Sequence, residues 1–159
     1  MQIFFAYDKK LAIQALRYHF ISRKEIKILL VVVNVFAIIA AILLSFHKVS
    51  PIAFLLSSLL WLALMASFWM ILPYSVYKRS PTFKDVFTML FFDKYIKLEN
   101  DKGSIEWDWN LFSTFIESPH FFHLYFNSKS FFLVPKAAVE KDGNVIELRT
   151  MLQQKILKH

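Results

Sequence analysis

Two long uncharged stretches dominate the pattern of hydrophobic and polar positions. Ile28–Phe46 holds 19 residues and Val49–Tyr77 holds 29, with no Asp, Glu, Lys or Arg in either. A helix rising about 1.5 Å per residue needs roughly 20 apolar residues to cross a hydrocarbon core about 30 Å thick. Only His47 and Lys48 separate the two stretches. The pattern predicts a transmembrane helical hairpin over residues 28–77, with helices at 28–46 and 51–77. Ser50 is a suitable N-cap for the second helix, with Pro51 in its first position.

Small and polar residues recur within both predicted spans. The predicted helix-packing residues are Asn34, Ala37, Ala41, Ser45, Ala63 and Ser67. Small residues at intervals of four let transmembrane helices approach closely. A short turn makes the two spans antiparallel neighbours, so these residues pack within one hairpin or mediate dimerisation. Asn34 either hydrogen-bonds across the hairpin or marks a dimer contact.

The segment before the hairpin, residues 1–27, reads as a strand and an amphipathic helix. Residues 2–7 favour a strand, and Asp8 is a suitable N-cap for a helix from Lys9 to Arg23. Apolar residues at three- and four-residue spacing form one face of that helix. The face lies on the inner leaflet or packs on the C-terminal domain. His19 lies on the same face, either as a pH-sensitive group or as a packing group.

The segment from residue 82 to residue 159 changes to short apolar stretches at about ten-residue spacing, which indicates an antiparallel meander. Strands are predicted at 87–92, 94–99, 104–109, 113–117, 121–126 and 130–134. Asn144 is placed to cap a final helix with an apolar stripe. The predicted class is an α+β membrane protein, in which a curved antiparallel sheet is closed by the C-terminal helix.

Aromatic residues are unusually frequent in this C-terminal segment. If residues 121–126 form a strand, Phe121 and Tyr125 face one way and Phe122 the other, so both faces of the sheet are apolar. The final helix covers one face. The N-terminal segment, the membrane surface, a second copy or a partner protein must cover the other. The predicted partner-binding residues are Trp107, Trp109, Phe121, Phe122 and Tyr125.

The net charge of +7 follows the ends of the predicted spans. Lys and Arg cluster before the first span and after the second, whereas the turn carries Lys48 alone. Because positive residues near membrane ends stay cytoplasmic, both termini should be cytoplasmic in a multi-pass protein of the bacterial inner membrane. No nucleic-acid partner is expected. The predicted membrane-interface residues are Arg23, Lys24, Lys27, Trp69, Tyr74, Tyr77, Lys78 and Arg79.

Candidate catalytic and metal-binding residues are sparse. The chain has no Cys, and its two glycines, at positions 103 and 143, cannot form a Gly-rich phosphate loop. Glu106 and Asp108 share a strand face, where a solvent-exposed pair is the simpler interpretation than a catalytic one. The spacing of His120 and His123 puts them on opposite strand faces, which is unsuitable for one metal, so both are interpreted as solvent or hairpin-tip residues. The sequence predicts no cofactor, no metal and no enzymatic activity.

Several aromatic motifs carry a family resemblance. They include Ile105-Glu106-Trp107-Asp108-Trp109, Phe121–Phe126 and Phe131–Lys136. Trp109 is followed at three, six and eight residues by Phe112, Phe115 and Glu117. This pattern resembles the YcxB-like family of small bacterial membrane proteins. The resemblance implies two transmembrane helices between a short N-terminal strand-and-helix and a C-terminal domain similar to bacterial pleckstrin-homology-like (PH-like) domains, with no catalytic residues to transfer.

These observations favour a non-enzymatic interaction module anchored in the membrane. Its cytosolic β domain would bind a protein partner or self-associate at the inner leaflet, and an immunity-type protective protein is one version of this role. Membrane lipid is the other expected partner. The alternative is a regulatory or anionic-lipid-binding protein that uses basic residues after the hairpin, namely Lys78, Arg79, Lys84, Lys94 and Lys136.

Overall fold

The protein is an α+β chain that divides into two compact units. The structure is a computed structural model that describes residues 1–142 and 144–156, without the side chain of Asp142. Met1–Ala15 and Ser80–His159 form the sheet unit, and Leu16–Arg79 forms the helical unit. Residues 143 and 157–159 of the predicted C-terminal domain lie outside the described residues.

The helices and strands follow one another in an order close to the predicted one. The helices are α1 (Lys9–Ser22), α2 (Lys24–Ser45), α3 (Pro51–Ala66), α4 (Leu72–Arg79), α5 (Lys136–Asp142) and α6 (Val145–Ile156). The strands are β1 (Gln2–Ala6), β2 (Val86–Phe91), β3 (Tyr95–Asn100), β4 (Gly103–Asp108), β5 (Thr114–Glu117), β6 (Phe121–Tyr125) and β7 (Phe131–Pro135).

The strands form two antiparallel sheets rather than one curved sheet. One sheet has the order β1-β2-β3-β4, and the other has the order β5-β6-β7. Between them the chain makes a 3-10 turn at Trp109–Leu111. Trp109 was predicted as the last residue of a strand. It instead lies in this turn, where its side chain is buried, and this turn interrupts the meander.

Strand β1, which precedes the helical unit in sequence, pairs with a strand that follows it. It pairs antiparallel with β2, from Gln2 opposite Leu90 to Ala6 opposite Val86. Ile3 of β1 is fully buried. The N-terminal strand is therefore part of the same folded unit as the C-terminal sheets.

Local capping residues behave as their positions predicted. The Asp8 carboxylate accepts a hydrogen bond from the Leu11 N–H at 2.9 Å, and the Asn144 side chain accepts one from the Ile146 N–H at 2.8 Å. Both bonds satisfy amides that a helix start leaves without a partner. Gly103 has a φ of +145°, a conformation that side-chain-bearing residues rarely adopt, and it begins β4 after the turn at Asp101 and Lys102.

The core of the sheet unit lies between the two sheets and the C-terminal helices. It includes residues from β1, β2 and β3, from β6 and β7, and from α5 and α6. Leu148, Leu152 and Ile156 of α6 are buried, which confirms the predicted apolar stripe. Every residue of β6 is buried, so both of its faces are covered.

The N-terminal segment contributes to the cover of the second face of β6. The Tyr7 ring stacks on Phe121 with centroids 6.5 Å apart, and its hydroxyl donates to the Leu133 carbonyl oxygen at 2.6 Å. Ala12 on α1 is also fully buried and belongs to the sheet unit. The prediction that this face must be covered is met within the chain.

The helical unit contains two long apolar helices. Lys24–Ser45 spans 22 residues and Pro51–Arg79 spans 29, and both are long and apolar enough to cross a membrane by length and composition. The second consists of α3, a π-helical turn at Ser67–Ile71, and α4. Pro73 therefore interrupts the regular hydrogen bonding without ending the helix.

Arg17 compensates for the missing N–H of Pro73. In a regular helix the Trp69 carbonyl would accept from residue 73, and proline has no N–H to donate. The Arg17 Nε donates to that carbonyl at 2.8 Å, and its guanidinium lies 5.8 Å from the Trp69 ring centroid. The π-helical turn is thus tied to the last part of α1.

The turn between the long helices is tightly hydrogen-bonded. His47 adopts a φ of +53°, and the N–H groups of His47 and Lys48 donate to the carbonyls of Leu44 and Leu43. This arrangement is a Schellman motif, which satisfies the last carbonyls of α2. The Ser50 hydroxyl then accepts from the Ala53 N–H at 3.3 Å, with Pro51 in the first helical position, as predicted.

Candidate functional site: the family motif and the exposed edge strand

The aromatic motif from Trp109 to Glu117 begins as core packing. The Trp109 Nε1 donates to the Phe92 carbonyl at 3.0 Å, and its ring stacks on Phe91 with centroids 6.4 Å apart. Phe112 is buried and stacks on Phe126 at 4.9 Å. These contacts fix the turn that separates the two sheets.

Glu117 ends the motif in a three-residue ionic cluster. Arg149 of α6 binds its two oxygens through Nε and Nη2, each at 2.7 Å, and the Lys136 ammonium lies 2.6 Å from Oε1. The Arg149 hydrogen bonds lower the pKa of Glu117 from 4.5 to about 2; burial opposes this shift and Lys136 adds to it. A bidentate arginine pair of this kind orients both side chains. The cluster connects β5 to α6 and to the first residue of α5.

Four of the five predicted partner-binding residues are core residues. Trp109, Phe121, Phe122 and Tyr125 are all buried, and they fill the interior rather than a docking surface. The strand pattern alone indicated apolar faces but did not show which segments cover them. Their assignment as contact residues is corrected. Trp107 is partly exposed, with its ring centroid 5.1 Å from that of Phe126.

Strand β4 is the most exposed strand among the seven in the described part of the chain. It lies at the edge of its sheet and pairs with β3 on one side only. None of its six residues is buried, and Ile105 is 50% exposed. Edge strands present unpaired backbone N–H and C=O groups to which another strand can add. β4 therefore offers both backbone groups and an apolar side chain.

The acidic residues of β4 lie at its exposed positions. Glu106 is opposite Lys97 of β3, and Asp108 is opposite Tyr95. Within residues 1–142 and 144–156, no group of three or more His, Cys, Asp or Glu could hold a metal ion. The exposed carboxylates make this edge complementary to a positively charged segment.

Two histidines proved to be buried. His123 was interpreted as a solvent or hairpin-tip residue, but it is fully buried, and its Nε2 lies 2.9 Å from the Ser118 hydroxyl. His19 on α1 is also buried. Burial, with a smaller contribution from Arg23, lowers the pKa of His19 from 6.5 to about 4. His19 is neutral near neutral pH, which favours the packing interpretation.

The predicted helix-packing residues are mostly unpacked. Ala41, Ser45 and Ala63 are exposed, and Ala37 is half-buried, as is Ser67. The exposed members are therefore not packed within the hairpin. Asn34 is exposed as well, and its Nδ2 donates to the Leu30 carbonyl of its own helix at 2.7 Å. It makes no hydrogen bond across the hairpin within the described helices.

Most of the predicted membrane-interface residues lie near the ends of the long helices. Lys24 and Lys27 are exposed in the first turn of α2, and Lys78 and Arg79 end α4. The remaining members are Arg23, which lies 3.9 Å from Glu25, the exposed Trp69 and Tyr74, and the half-buried Tyr77. Except for Trp69, which lies ten residues before the end of the second helix, these positions flank the apolar part of each helix. Their role at a membrane stays a prediction.

A groove of about 610 Å³ lies between α2 and α3. Phe36, Ala40 and Leu64 are among the residues that line it. The Nε1 of Trp61, also in the lining, is buried and has no hydrogen-bond partner among the described residues. Because the lining is largely apolar, the groove suits hydrocarbon rather than a polar substrate.

The family comparison matches part of the sheet unit. The family model described as YcxB-like protein matches residues 91–152, a range that contains the motif from Trp109 to Glu117 and the strands β3 to β7. No curated protein and no solved structure shows a significant match to the chain. The resemblance to the YcxB-like family, inferred first from the residues, is thereby confirmed over this segment.

Proposed function

We propose that this protein is a non-enzymatic interaction module anchored in the bacterial inner membrane. The helical unit holds the sheet unit at the cytoplasmic surface, where the edge of β4 receives an extended segment of a protein partner. The observation that carries this proposal is the exposure of β4, which has no buried residue and only one strand neighbour. Protection against a toxin at the membrane is one form that such a role can take.

The chain topology supports the anchoring part of the proposal. β1 precedes α2 and pairs with β2, which follows α4. Two membrane crossings return the chain to the side from which it started, so this pairing is compatible with a spanning hairpin. Lys and Arg are in excess before the start of α2 and at the end of α4, which favours the cytoplasmic side of the membrane for both ends of the hairpin.

The arrangement of the sheet unit also supports the proposed PH-like architecture. A four-stranded and a three-stranded antiparallel sheet enclose one core, and the chain ends in α6. The long strand edges of such a domain can accept a peptide as an additional strand. Electrostatic recognition of lipid head groups has weaker support, because Lys136 is held by Glu117.

A photo-crosslinking residue at position 105 tests the docking strand. We expect full-length protein carrying it to crosslink to a discrete partner in cells of its native host, because Ile105 is 50% exposed on the edge strand. Mass spectrometry of the purified adduct identifies the partner. Glu106→Lys should reduce the adduct yield several-fold, because the introduced lysine would repel a positively charged partner segment.

Matched positions elsewhere on the sheet unit serve as controls. Ile146 is 65% exposed on α6, and the same crosslinker there should give no such adduct. Glu140 is exposed on α5, so Glu140→Lys should leave the adduct at position 105 unchanged. Equal yields at positions 105 and 146 would remove β4 as the docking strand.

Membrane anchoring is tested separately. Alkaline carbonate should leave the full chain in the membrane pellet, because both long helices are apolar enough to span. A reporter fused to the C-terminus should be inaccessible from outside intact cells. Release by carbonate, or an accessible reporter, would contradict the proposed anchoring and orientation respectively.

A further inference from the structure

Asn34 has an incompletely satisfied carboxamide in the middle of α2. It is the eleventh of the 22 residues of that helix, about 15 Å from either end. One N–H is used by the Leu30 carbonyl at 2.7 Å. The second N–H and the carbonyl oxygen have no partner within the described helices, and the side chain is exposed.

This inference rests on the proposed membrane anchoring. A helix that spans the bilayer places its midpoint in the hydrocarbon core, where neither water nor lipid chains offer a hydrogen bond. Polar side chains at this depth are expensive and face other helices rather than lipid. The exposed side of Asn34 is therefore the side that a further helix should meet.

We propose that two copies of the chain dimerise through α2, with Asn34 of each copy bonded to Asn34 of the other. In a parallel dimer with a two-fold axis along the membrane normal, identical residues lie at identical depth. Each carboxamide has one free N–H and one free oxygen, so each Asn34 can donate its N–H to the carboxamide oxygen of the other. A second copy necessarily carries the matching donor and acceptor at the depth of Asn34, whereas a different protein need not.

The residues beside Asn34 suit such a contact. Ile38, Ala41 and Ser45 lie within about 40° of Asn34 around the helix, and all three are exposed. The small side chains of Ala41 and Ser45 allow close approach of two helices. The Ser45 hydroxyl is already bonded to the Ala41 carbonyl at 3.1 Å, so it needs no partner across the contact.

Introduced cysteines give the first test, because the chain has none of its own. Ala41→Cys should form a disulfide-linked dimer when native membranes are oxidised. Leu55→Cys is the matched control. Leu55 lies four residues after the start of α3, as Ala41 lies four residues before the end of α2, and it is 59% exposed. Equal crosslinking at the two positions would indicate random collision and overturn the proposed interface.

Substitution of Asn34 gives the second test. Energy transfer between labelled full-length copies in liposomes, over a series of protein-to-lipid ratios, measures the dimer dissociation constant. Asn34→Leu should weaken the dimer by about 3- to 30-fold, the range for transmembrane hydrogen bonds of this kind. Asn34→Gln should retain most of the affinity, and Ser57→Ala, on the exposed part of α3, should have no effect.

The outcomes separate this inference from the proposed function. A wild-type protein that resists carbonate but stays monomeric at all ratios would overturn the dimer and leave the anchoring intact. Unchanged affinity of Asn34→Leu would overturn the role of Asn34. Release of the protein by carbonate would remove the anchoring on which both depend.

Discussion

Phe122→Ala should destabilise the sheet unit by about 3–5 kcal/mol, the usual cost of removing a buried phenylalanine side chain. Phe122 is fully buried in the core, its ring centroid 6.4 Å from that of Phe115. The Lys136 ammonium lies 5.3 Å from the same ring, so the substitution also removes a cation–π contact. A loss of this size is a large share of the stability of a typical domain.

Hydrogen exchange of the full chain in detergent micelles measures this effect. The most protected amides of β6 and β7 should exchange faster, because they open only when the sheet unit unfolds. Ile146→Ala is the control, and its exposed site predicts a change within about 0.5 kcal/mol. Phe122→Leu should give an intermediate loss if the alanine variant does not fold. Protection equal to that of the control would contradict the assignment of Phe122 to the core.

Glu117→Gln should lower the free energy of unfolding by about 1–3 kcal/mol at neutral pH, because it leaves Arg149 and Lys136 without their common carboxylate. The side chain of Glu117 is 28% exposed, so solvent screening keeps the loss below that of a fully buried pair. The same exchange measurement applies.

The pH dependence distinguishes the ionic cluster from simple packing. The pKa of Glu117 is lowered from 4.5 to about 2 in the folded protein. Its contribution is therefore fully present above about pH 4.5 and is lost as the pH falls from there toward 2. The difference in stability between wild type and Glu117→Gln should shrink over this window. Glu140→Gln, at an exposed site on α5, should show no such window.

Local signals in the sequence predicted most element boundaries. Asp8, Ser50 and Asn144 precede helices and do cap them, because a cap depends on residues within one turn of each other. The two long apolar helices follow directly from the absence of charge. In contrast α5, seven residues long, was not predicted, since too few turns are present for a helical period to emerge.

Long-range contacts could not be predicted in the same way. The family motif contains Glu117, but its principal partner Arg149 is 32 residues away, and no local pattern joins them. The apolar faces of β6 were recognised, whereas the burial of Phe121 and Tyr125 depends on segments distant in sequence. The exposure of Ile105 could not be predicted either, because apolar and polar residues alternate in the same way along an edge strand and a central strand.

The pairing of β1 with β2 has a consequence for biosynthesis. About 80 residues separate Ala6 from Val86, and a ribosome that adds about 5–20 residues per second needs roughly 4–16 s to translate them. During that interval the nascent strand carries Ile3 and Phe5 without the neighbour that later shields them. Under the proposed anchoring, both long helices are therefore translated before the sheet unit can be completed, and β1 stays unpaired until β2 has been made.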